Sequence, residues 1–279
     1  MLFETANAKI NWALRVTGRR EDGYHLLDML MQPVSLCDEL RAQEADELSL
    51  TIEGDPVAPG PENLIWRAAV ALQAFTGCKK GAWIVLTKRI PSQAGLGGGS
   101  ADCAAALRLL RRLWELPVTD AQLHEIGLKL GADVPFCLTN RFSRVRGIGE
   151  DVQPLAWAKQ IPLVILKPDK GVPTPQAFRI LDENSQQKRQ LDLDNALNAL
   201  SNGDWEAFAA CAGNDLLAPA LQIVPEIGEC IALLKRHGAL YADMSGSGSA
   251  VFGVFPDMES AQNAAAAIGP GAYAALTIA

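Results

Sequence analysis

The stretch that decides the fold is PSQAGLGGGSADCAAALRLLRRL, residues 91–113. Four of the five positions from Gly95 to Gly99 are glycine, and an Ala- and Leu-rich run that predicts a helix near 99–115 follows directly. Glycine lets the backbone adopt positive φ and lets another group approach the main chain closely. The sequence therefore predicts a place where a ligand or another part of the chain touches the backbone.

Known glycine loops differ in their spacing. A P-loop requires a lysine directly after its last glycine, and because Ser100 follows Gly99, a P-loop is excluded. A dinucleotide-binding turn requires GxGxxG, a spacing that the glycines at 95, 97 and 98 do not have. A phosphate nest fits better, because free N–H groups at a helix start favour an anion and Ser100 adds a hydroxyl. On glycine content alone, a flexible loop without a ligand stays an alternative.

The composition limits the kinds of partner. The chain has 279 residues, of which 49% are hydrophobic and 20% charged, and its net charge is −7 at pH 7. This acidic balance argues against a broad surface for nucleic acid or anionic membranes. A small anionic ligand needs only local positive groups. We therefore expect small-molecule partners, no nucleic acid and no membrane, in a monomer or homodimer.

The cysteines and apolar runs predict a cytoplasmic location. Six cysteines lie far apart without a CxxC pair, at positions 37, 78, 103, 137, 211 and 230. Such scattered residues indicate reduced thiols. The three histidines are equally dispersed, so no metal site is predicted. No apolar run approaches the ~18 residues that span a bilayer, and no export signal is recognised at the N-terminus.

Strands and helices are mixed without strict alternation, which favours an α+β fold. Strand patterns occur at 5–17, 28–36, 47–53, 82–88, 161–168, 239–243, 249–255 and 272–278. Helix patterns occur at 61–77, 99–115, 119–130, 174–183, 204–212, 225–237 and 257–268. Asn63 or Glu62 is expected to cap the first helix, and Thr119 with Gln122 forms a capping box for the third. The polar run 182–195 is predicted to be a surface loop.

Two glycine-rich segments together resemble a known superfamily. The pattern PxxxGLGGGSA in 91–101 is similar to the second motif of the GHMP kinases, and MSGSGSAVFGVF (244–255) is similar to their third. The resemblance implies that the first loop wraps the phosphates of ATP. It also implies a two-lobed fold, with a ribosomal protein S5 domain 2-like half at 1–155 and a ferredoxin-like α/β half at 156–279. The active site is expected in the cleft between the halves.

Other segments resemble one branch of this superfamily in the same order along the chain. They are AKINWALRVTGRREDGYHLL (8–27), ENLIWRAA (62–69), LGADVPFCL (130–138), GIGE (147–150) and GVPTPQAF (171–178). The resemblance implies ATP-dependent phosphorylation of the 2-hydroxyl of 4-(cytidine-5′-diphospho)-2-C-methyl-D-erythritol, with Mg²⁺ accompanying ATP. Alternatives are another small-alcohol kinase, for homoserine or mevalonate, and a nucleotide-binding regulator that has lost catalysis.

Two charged residues are the catalytic candidates. Asp133 follows a helix stop at Gly131, and we expect Pro135 to hold Val134 extended, which would place the carboxylate on a short, stiff loop. Lys9 lies in a strand whose alternate positions are apolar, so it is expected to face a pocket. The resemblance implies that Asp133 is the general base and that Lys9 is its cationic partner.

The remaining site residues follow from the matching motifs. The resemblance assigns ATP to the loop and to the start of the first helix, namely Pro91, Ser92, Gln93, Ala94, Gly95, Leu96, Gly97, Gly98, Gly99, Ser100, Ala101, Asn63 and Leu64. It assigns the cytidylated alcohol to Asn11, Tyr24, His25, Thr174, Pro175 and Phe178. Tyr24 and Phe178 are of the type that stacks on a pyrimidine, and His25 is of the type that reads a base edge.

Two features depart from the commoner family pattern. Ala101 stands where many members have a second serine, so Ser100 alone supplies a hydroxyl there. Arg144 and Arg146 lie in a segment that is often neutral or acidic. They are expected either to meet a diphosphate or, as we favour, to pair with Glu150 or Asp151 on the surface.

Overall fold

The computed structural model describes residues 1–54, 57–184 and 190–279. The strands in these residues are β1 (Leu2–Arg19), β2 (His25–Ala45), β3 (Ser49–Gly54), β4 (Gly81–Lys88), β5 (Ser143–Gly147), β6 (Asp151–Pro154), β7 (Pro162–Leu166), β8 (Tyr241–Met244), β9 (Val251–Val254) and β10 (Ala272–Leu276). The helices are α1 (Leu64–Thr76), α2 (Gly98–Leu113), α3 (Asp120–Leu130), α4 (Val134–Thr139), α5 (Thr174–Glu183), α6 (Leu193–Asn202), α7 (Trp205–Cys211), α8 (Leu217–Ile223), α9 (Glu226–Arg236) and α10 (Met258–Ile268). The predicted α+β class is confirmed.

The chain divides into two compact units. The first contains residues 1–8, 36–92 and 97–140, and the second contains residues 9–35, 93–96 and 141–279. The long strands β1 and β2 therefore run through both units, and so does the glycine loop. The predicted boundary between residues 155 and 156 stays a prediction.

The first unit combines part of a sheet with four helices. Strand β4 pairs in parallel with β3 and antiparallel with the second half of β2, where Glu39 lies opposite Thr87. Helices α1 to α4 pack against one another. The helix ends follow the predicted caps, since the Asn63 side chain accepts a hydrogen bond from the Ile65 amide at 2.9 Å and Thr119 forms the expected capping box with Gln122.

The second unit contains an antiparallel sheet in the order β10-β7-β9-β8, with α9 and α10 packed on it. The first half of β2 pairs with β5, which pairs in turn with β6. The fully buried Trp12 of β1 contacts the rings of Phe208 and Phe252 edge to face. Aromatic packing of this kind ties β1 to the core of the second unit.

Strand β2 is longer than predicted. The prediction ended at residue 36, whereas the strand continues to Ala45. Leu40 and Ala42 are buried on one face, as strand periodicity requires. The pattern is obscured because Asp38, which shares that face, is a fully buried charge rather than an apolar residue.

The expectation for the segment around Asp133 is wrong. Val134 begins helix α4 rather than an extended loop, and Asp133 is the residue before it, with φ −84° and ψ −10°. Proline is tolerated in the first turn of a helix because the N–H it lacks would have no intrahelical acceptor there. Pro135 therefore starts a helix instead of preventing one.

The predicted surface loop at 182–195 is wrong at its C-terminal end, and at its N-terminal end it overlapped the predicted helix 174–183, which is confirmed. Helix α5 continues to Glu183, and α6 begins at Leu193 after a cap by the Asp192 side chain. Residues 185–189 of that prediction lie outside the described residues. Helices α4, α6 and α8 and strands β5 and β6 were not predicted.

Two further observations concern the whole described chain. No single helix in the described residues is long and apolar enough to cross a membrane; α8 and α9 reach that length only when taken together, and they are bent by 115°. All six cysteines lie in the described residues, and none forms a disulfide.

Candidate active site

The N-terminus of α2 presents three backbone donors that have no acceptor within the helix. Gly97 precedes the helix in the left-handed conformation, with φ 68°, and its carbonyl accepts the amide of Ala101 at 2.8 Å. The amides of Gly98, Gly99 and Ser100 come before this first helical hydrogen bond, so they have no intrahelical acceptor. Together with the helix dipole they form an anion-binding end.

The first unit places other predicted site residues around this end. A Cβ built on Gly99 would lie 3.6 Å from the Leu64 Cδ1 atom at the start of α1. A Cβ built on Gly131 would lie 3.8 Å from the Ser100 Oγ atom. The segment that carries Asp133 therefore borders the start of α2. Asp133 itself is half-buried, and its side chain does not cap α4.

A buried ionic cluster, which we call the Lys88 cluster, lies beneath the same helix start. It consists of Lys88, Asp38 and Asp102, each at most 6% exposed. The Lys88 ammonium contacts one Asp38 oxygen and lies 3.1 Å from Asp102. The other Asp38 oxygen accepts the backbone amides of residues 89 and 90 at 2.5 and 2.8 Å. Because a Cβ on Gly98 would lie 3.0 Å from the ammonium nitrogen, the cluster also packs against the glycine loop.

Asp102 differs from Asp38 in having few partners. One of its oxygens is buried and, within the described residues, accepts no hydrogen bond. Burial and the nearby Asp38 charge raise the pKa of Asp102 to about 8, although the Lys88 charge opposes the shift. At neutral pH its carboxyl is therefore mostly protonated, and Lys88 is neutralised mainly by Asp38.

In the second unit, residues 93–96 of the glycine loop pack against the turn 245–249, which we call the third-motif turn. A Cβ on Gly95 would lie 2.2 Å from the Ser245 carbonyl oxygen, a distance that only glycine permits. The buried Ser245 hydroxyl donates a hydrogen bond to the Gly95 carbonyl at 3.0 Å. It also accepts one from the Asn11 backbone N–H at 3.2 Å. The Ala250 amide donates to the Ala94 carbonyl at 3.0 Å. Three motifs that are distant in sequence meet here.

Lys9 lies at this meeting point and is 4% exposed. Its backbone amide donates to the Leu96 carbonyl at 2.9 Å, and its ammonium donates to the Asn11 side-chain oxygen at 2.6 Å. A Cβ on Gly246 would lie 3.0 Å from the ammonium nitrogen. The third-motif turn therefore forms one wall of the Lys9 environment.

The residues predicted to bind the alcohol substrate also lie in the second unit. Thr174, at the start of α5, exchanges a 2.7 Å hydroxyl–hydroxyl hydrogen bond with Ser247 of the third-motif turn. The His25 ring stacks on Phe178, with ring centroids 4.4 Å apart. Tyr24 is 62% exposed. Gly23 before it adopts φ 92°, a conformation that favours glycine.

The prediction that Arg144 and Arg146 pair with Glu150 or Asp151 is wrong. Arg144 contacts Asp28 through two nitrogens, at 2.8 and 2.9 Å, and Asp194 through a third. Arg146 lies 3.7 Å from the same Asp28 carboxylate. Burial alone would raise the pKa of Asp28, but Arg144 and then Arg15 hold it below the usual value. A buried carboxylate on the neighbouring strand β2 thus outcompetes the exposed Glu150 and Asp151.

Comparison with known proteins identifies the family. Residues 63–141 match the GHMP kinases N terminal domain, and residues 196–275 match the GHMP kinases C terminal domain. The chain is 44% identical, over 96% of its length and 88% of the relative's, to a 4-diphosphocytidyl-2-C-methyl-D-erythritol kinase from Rhizobium johnstonii. The chain belongs to the GHMP kinase family. It is 43% identical to the enzyme of the same name from Pelotomaculum thermopropionicum, over 94% of this GHMP kinase and 91% of the relative.

Solved structures agree with this family. A crystal structure of 4-(cytidine 5′-diphospho)-2C-methyl-D-erythritol kinase superposes with a TM-score of 0.86 at 37% identity, covering 100% of both chains. Homoserine kinase from Cytophaga hutchinsonii superposes with a TM-score of 0.72 at 20% identity, covering 99% of this chain and 94% of that one. The second match shows only that the GHMP kinase fold is shared.

Sequence reasoning missed several residues that organise this GHMP kinase. The side-chain amide of Asn214 donates to the backbone carbonyls of Met244 and Gly246 at 2.9 and 2.8 Å, and so fixes the third-motif turn. Its own oxygen accepts the Leu216 amide at 2.9 Å. Gly213 before it suggests a turn, but nothing local in the sequence indicates that Asn214 bonds to residues 30 positions away. Asp102 was predicted only as a residue of a helix, because nothing nearby in the sequence indicates its contact with Lys88.

The protonated state of Asp102 predicts how the stability of the kinase depends on pH. Its folded pKa, about 8, exceeds the ordinary value of 3.8, so the folded state keeps a proton that the unfolded state loses between these values. This contribution to stability is complete below about pH 4 and is lost as the pH rises through 8. The free energy of unfolding of wild type, measured relative to that of Asp102→Asn, should therefore fall from pH 5 to pH 8. The fall should be up to roughly 1.4 kcal/mol per pH unit.

Urea unfolding at pH 5, 6.5 and 8 measures this difference. Asp120→Asn is the matched control, because Asp120 is an exposed carboxylate whose pKa is lowered by a hydrogen bond from Arg111. The difference between wild type and the control should stay constant over the same range. If the difference in free energy of unfolding between wild type and Asp102→Asn is also constant, Asp102 is ionised over this whole pH range.

Proposed function

We propose that this chain transfers the γ-phosphoryl group of ATP to the 2-hydroxyl of 4-(cytidine-5′-diphospho)-2-C-methyl-D-erythritol, in the non-mevalonate (MEP) pathway of isoprenoid biosynthesis. The products are the 2-phosphate and ADP. The observation that carries this proposal is the 44% identity, over 96% of the chain, to a kinase named for this substrate. A homoserine kinase structure and a mevalonate kinase structure are 20% and 16% identical to this chain, and matches at such identities bear on the fold alone.

ATP is the phosphoryl donor, and we assign its phosphates to the glycine loop. The amides of Gly98, Gly99 and Ser100 and the dipole of α2 favour a polyanion at this end. Ala101, which is 2% exposed, cannot add a contact through its side chain. Asn63 and Leu64 are assigned to the adenine side, with Leu64 packed near Gly99.

Mg²⁺ is expected with ATP. Among the residues that the structure describes, no three His, Cys, Asp or Glu side chains cluster so as to hold a metal ion. The ion would therefore be held mainly by phosphate oxygens, with the Ser100 hydroxyl as its protein ligand. When bound, it neutralises charge on the transferred group.

Asp133 is proposed as the general base and Lys9 as a cation that offsets negative charge on the transferred phosphoryl group. Transfer to an alcohol requires a carboxylate that accepts the hydroxyl proton as the new bond forms. Lys9 is suited to its role because it is buried and its ammonium is held by Asn11. A fixed charge in a site with little water stabilises a transition state more than a mobile one does.

The cytidylated alcohol is assigned to a group of residues in the second unit. Asn11 lies beside Lys9, and Thr174 and Pro175 begin helix α5. His25 and Phe178 form a stacked pair, with ring centroids 4.4 Å apart. The exposed Tyr24 ring supplies a further stacking surface.

A direct assay tests the proposed reaction. Purified protein is offered ATP with the cytidylated erythritol, homoserine or mevalonate, and ADP release is followed together with mass spectrometry of the product. We expect turnover of the cytidylated alcohol alone. Turnover of homoserine or mevalonate instead would assign the chain to another acceptor. ATP binding without any turnover would support the inactive regulator.

The role of Asp133 predicts a large loss of rate without loss of binding. Asp133→Asn keeps the shape of the side chain but cannot accept a proton, so kcat should fall by about 10²-fold or more. The KM values for both substrates should change little. Asp120→Asn is the control, because it makes the same charge change at the start of the preceding helix. Normal turnover by Asp133→Asn would remove proton transfer to this residue from the mechanism.

The phosphate loop predicts that Gly99 is required by the ligand rather than by the fold. A Cβ at this position would meet only Leu64, at 3.6 Å, which is an ordinary contact. Gly99→Ala should therefore be at least as stable as wild type, with a gain in the free energy of unfolding of no more than about 1 kcal/mol, because alanine is favoured over glycine in a helix. Its KM for ATP should rise at least tenfold, since the methyl group enters the space assigned to the phosphates.

Gly60→Ala serves as the control for this variant, because a Cβ at Gly60 has no atom within 4 Å. Both variants are compared by urea unfolding and by steady-state kinetics. An unchanged KM for ATP in folded Gly99→Ala would place the phosphates elsewhere.

A further inference from the structure

Two residues of helix α5 hold the ring of His25. Phe178 covers one face of the ring, with centroids 4.4 Å apart and planes inclined by 15°. Asp182 meets the ring edge, where its Oδ1 atom lies 2.8 Å from Nε2. The two residues are four positions apart on the helix and therefore lie on the same face. The His25 side chain is only 10% exposed, so its orientation is fixed.

Asp182 is itself held in place. Its second oxygen lies 3.2 Å from the Arg19 guanidinium, whose Nε atom donates to the Gly23 carbonyl at 3.1 Å. The same turn is closed by a 2.8 Å hydrogen bond from the Arg20 amide to the Tyr24 carbonyl. Helix α5 and the turn that precedes His25 are thus joined through this one carboxylate.

This geometry decides which nitrogen of His25 carries the proton. An ionised carboxylate only accepts hydrogen bonds, so Nε2 must donate to Asp182. In the neutral ring Nδ1 then has a lone pair. Within the described residues Nδ1 makes no hydrogen bond, and it is not among the polar atoms sealed from water without a partner. Nδ1 is therefore an acceptor that is not fully sealed from solvent.

We propose that Asp182 is a positioning residue that fixes the tautomer of His25, so that Nδ1 accepts a hydrogen bond from the exocyclic amine of a cytosine ring. The inference rests on the proposed function, which supplies a cytidine diphosphate group. Cytosine presents an amine at C4, whereas uracil presents a carbonyl oxygen there. Two acceptors facing each other cannot form a hydrogen bond, and a polar group left unpaired in a buried site is costly.

The other tautomer would have the opposite preference. With a proton on Nδ1 the ring would donate to the uracil oxygen and would face the cytosine amine with a second donor. Without the carboxylate of Asp182, both tautomers become available to His25. The selectivity for cytosine therefore depends on a residue that does not itself contact the base.

The experiment compares paired ligands in folded variants. Dissociation constants for cytidine diphosphate and uridine diphosphate are measured by calorimetry at pH 8, and kcat and KM are measured with the cytidylated alcohol and its uridine analogue. In Asp182→Ala we expect the preference for the cytidine ligand to fall at least tenfold. The change should appear in Kd and KM, with kcat within about twofold of wild type. Glu183→Ala, which changes the exposed neighbouring residue, should keep the wild-type preference.

Nitrogen-15 spectra of the imidazole rings provide a readout that simple loss of stability would not produce. The chain has three histidines, so the His25 signals can be assigned by mutation. Wild type should show a single tautomer with the proton on Nε2, and Asp182→Ala should show a mixture. Asp182→Asn, which keeps the shape of the side chain, is the second variant in case Asp182→Ala does not fold. Its amide can turn either an oxygen or an NH₂ group toward Nε2, so its preference should also fall.

An unchanged cytidine-to-uridine preference in either folded variant would overturn the inference, and so would a wild-type His25 with the proton on Nδ1. Failure of the proposed function gives a different result. If wild type does not turn over the cytidylated alcohol, the diphosphate affinities and the ring spectra still test Asp182.

Discussion

The close approach of Gly95 to the carbonyl oxygen of Ser245 is the constraint on which the site in the second unit depends. A side chain at position 95 would lie 2.2 Å from that oxygen. Because glycine removes this obstacle, the Ser245 hydroxyl can reach both the Gly95 carbonyl and the Asn11 amide. One buried hydroxyl thus connects segments more than 230 residues apart. The Asn214 side-chain amide holds the same turn by donating to the carbonyls of Met244 and Gly246.

In the first unit, a buried positive charge has to be compensated beneath the start of α2. An anion-binding helix end has a positive field, and the Lys88 ammonium lies directly beneath it. An unpaired buried cation there would be expensive. Asp38 supplies the compensating charge and also accepts two backbone amides. Asp102 remains largely neutral, so the cluster adds little net charge beneath the loop.

The sequence predicted the α+β class, helices α1 to α3, the caps of α1 and α3, and the glycine loop, because these depend on local patterns and turn chemistry. The prediction failed where distant contacts decide the outcome. The buried Asp38 hid the second half of β2 because its charge is satisfied by Lys88, 50 residues away. Pro135 was read as a helix breaker, although at the first turn it is compatible with a helix. Arg144 was paired with nearby acids, whereas its partner Asp28 lies on the neighbouring strand. The roles of Lys9 and Asp133 rest on family resemblance and stay predictions.

Gly95 and Gly99 differ in their surroundings within the protein, and under the proposed function this difference has an evolutionary consequence. Gly95 is required by the packing of the chain itself, whereas a Cβ at Gly99 would, within the described residues, meet only Leu64 at an ordinary contact distance. Alanine is favoured over glycine in a helix by about 1 kcal/mol. In a descendant that no longer used ATP, drift would therefore replace Gly99 early and would retain Gly95. Among sequences of this family, the residue at position 99 can thus distinguish active kinases from relatives that have lost the use of ATP.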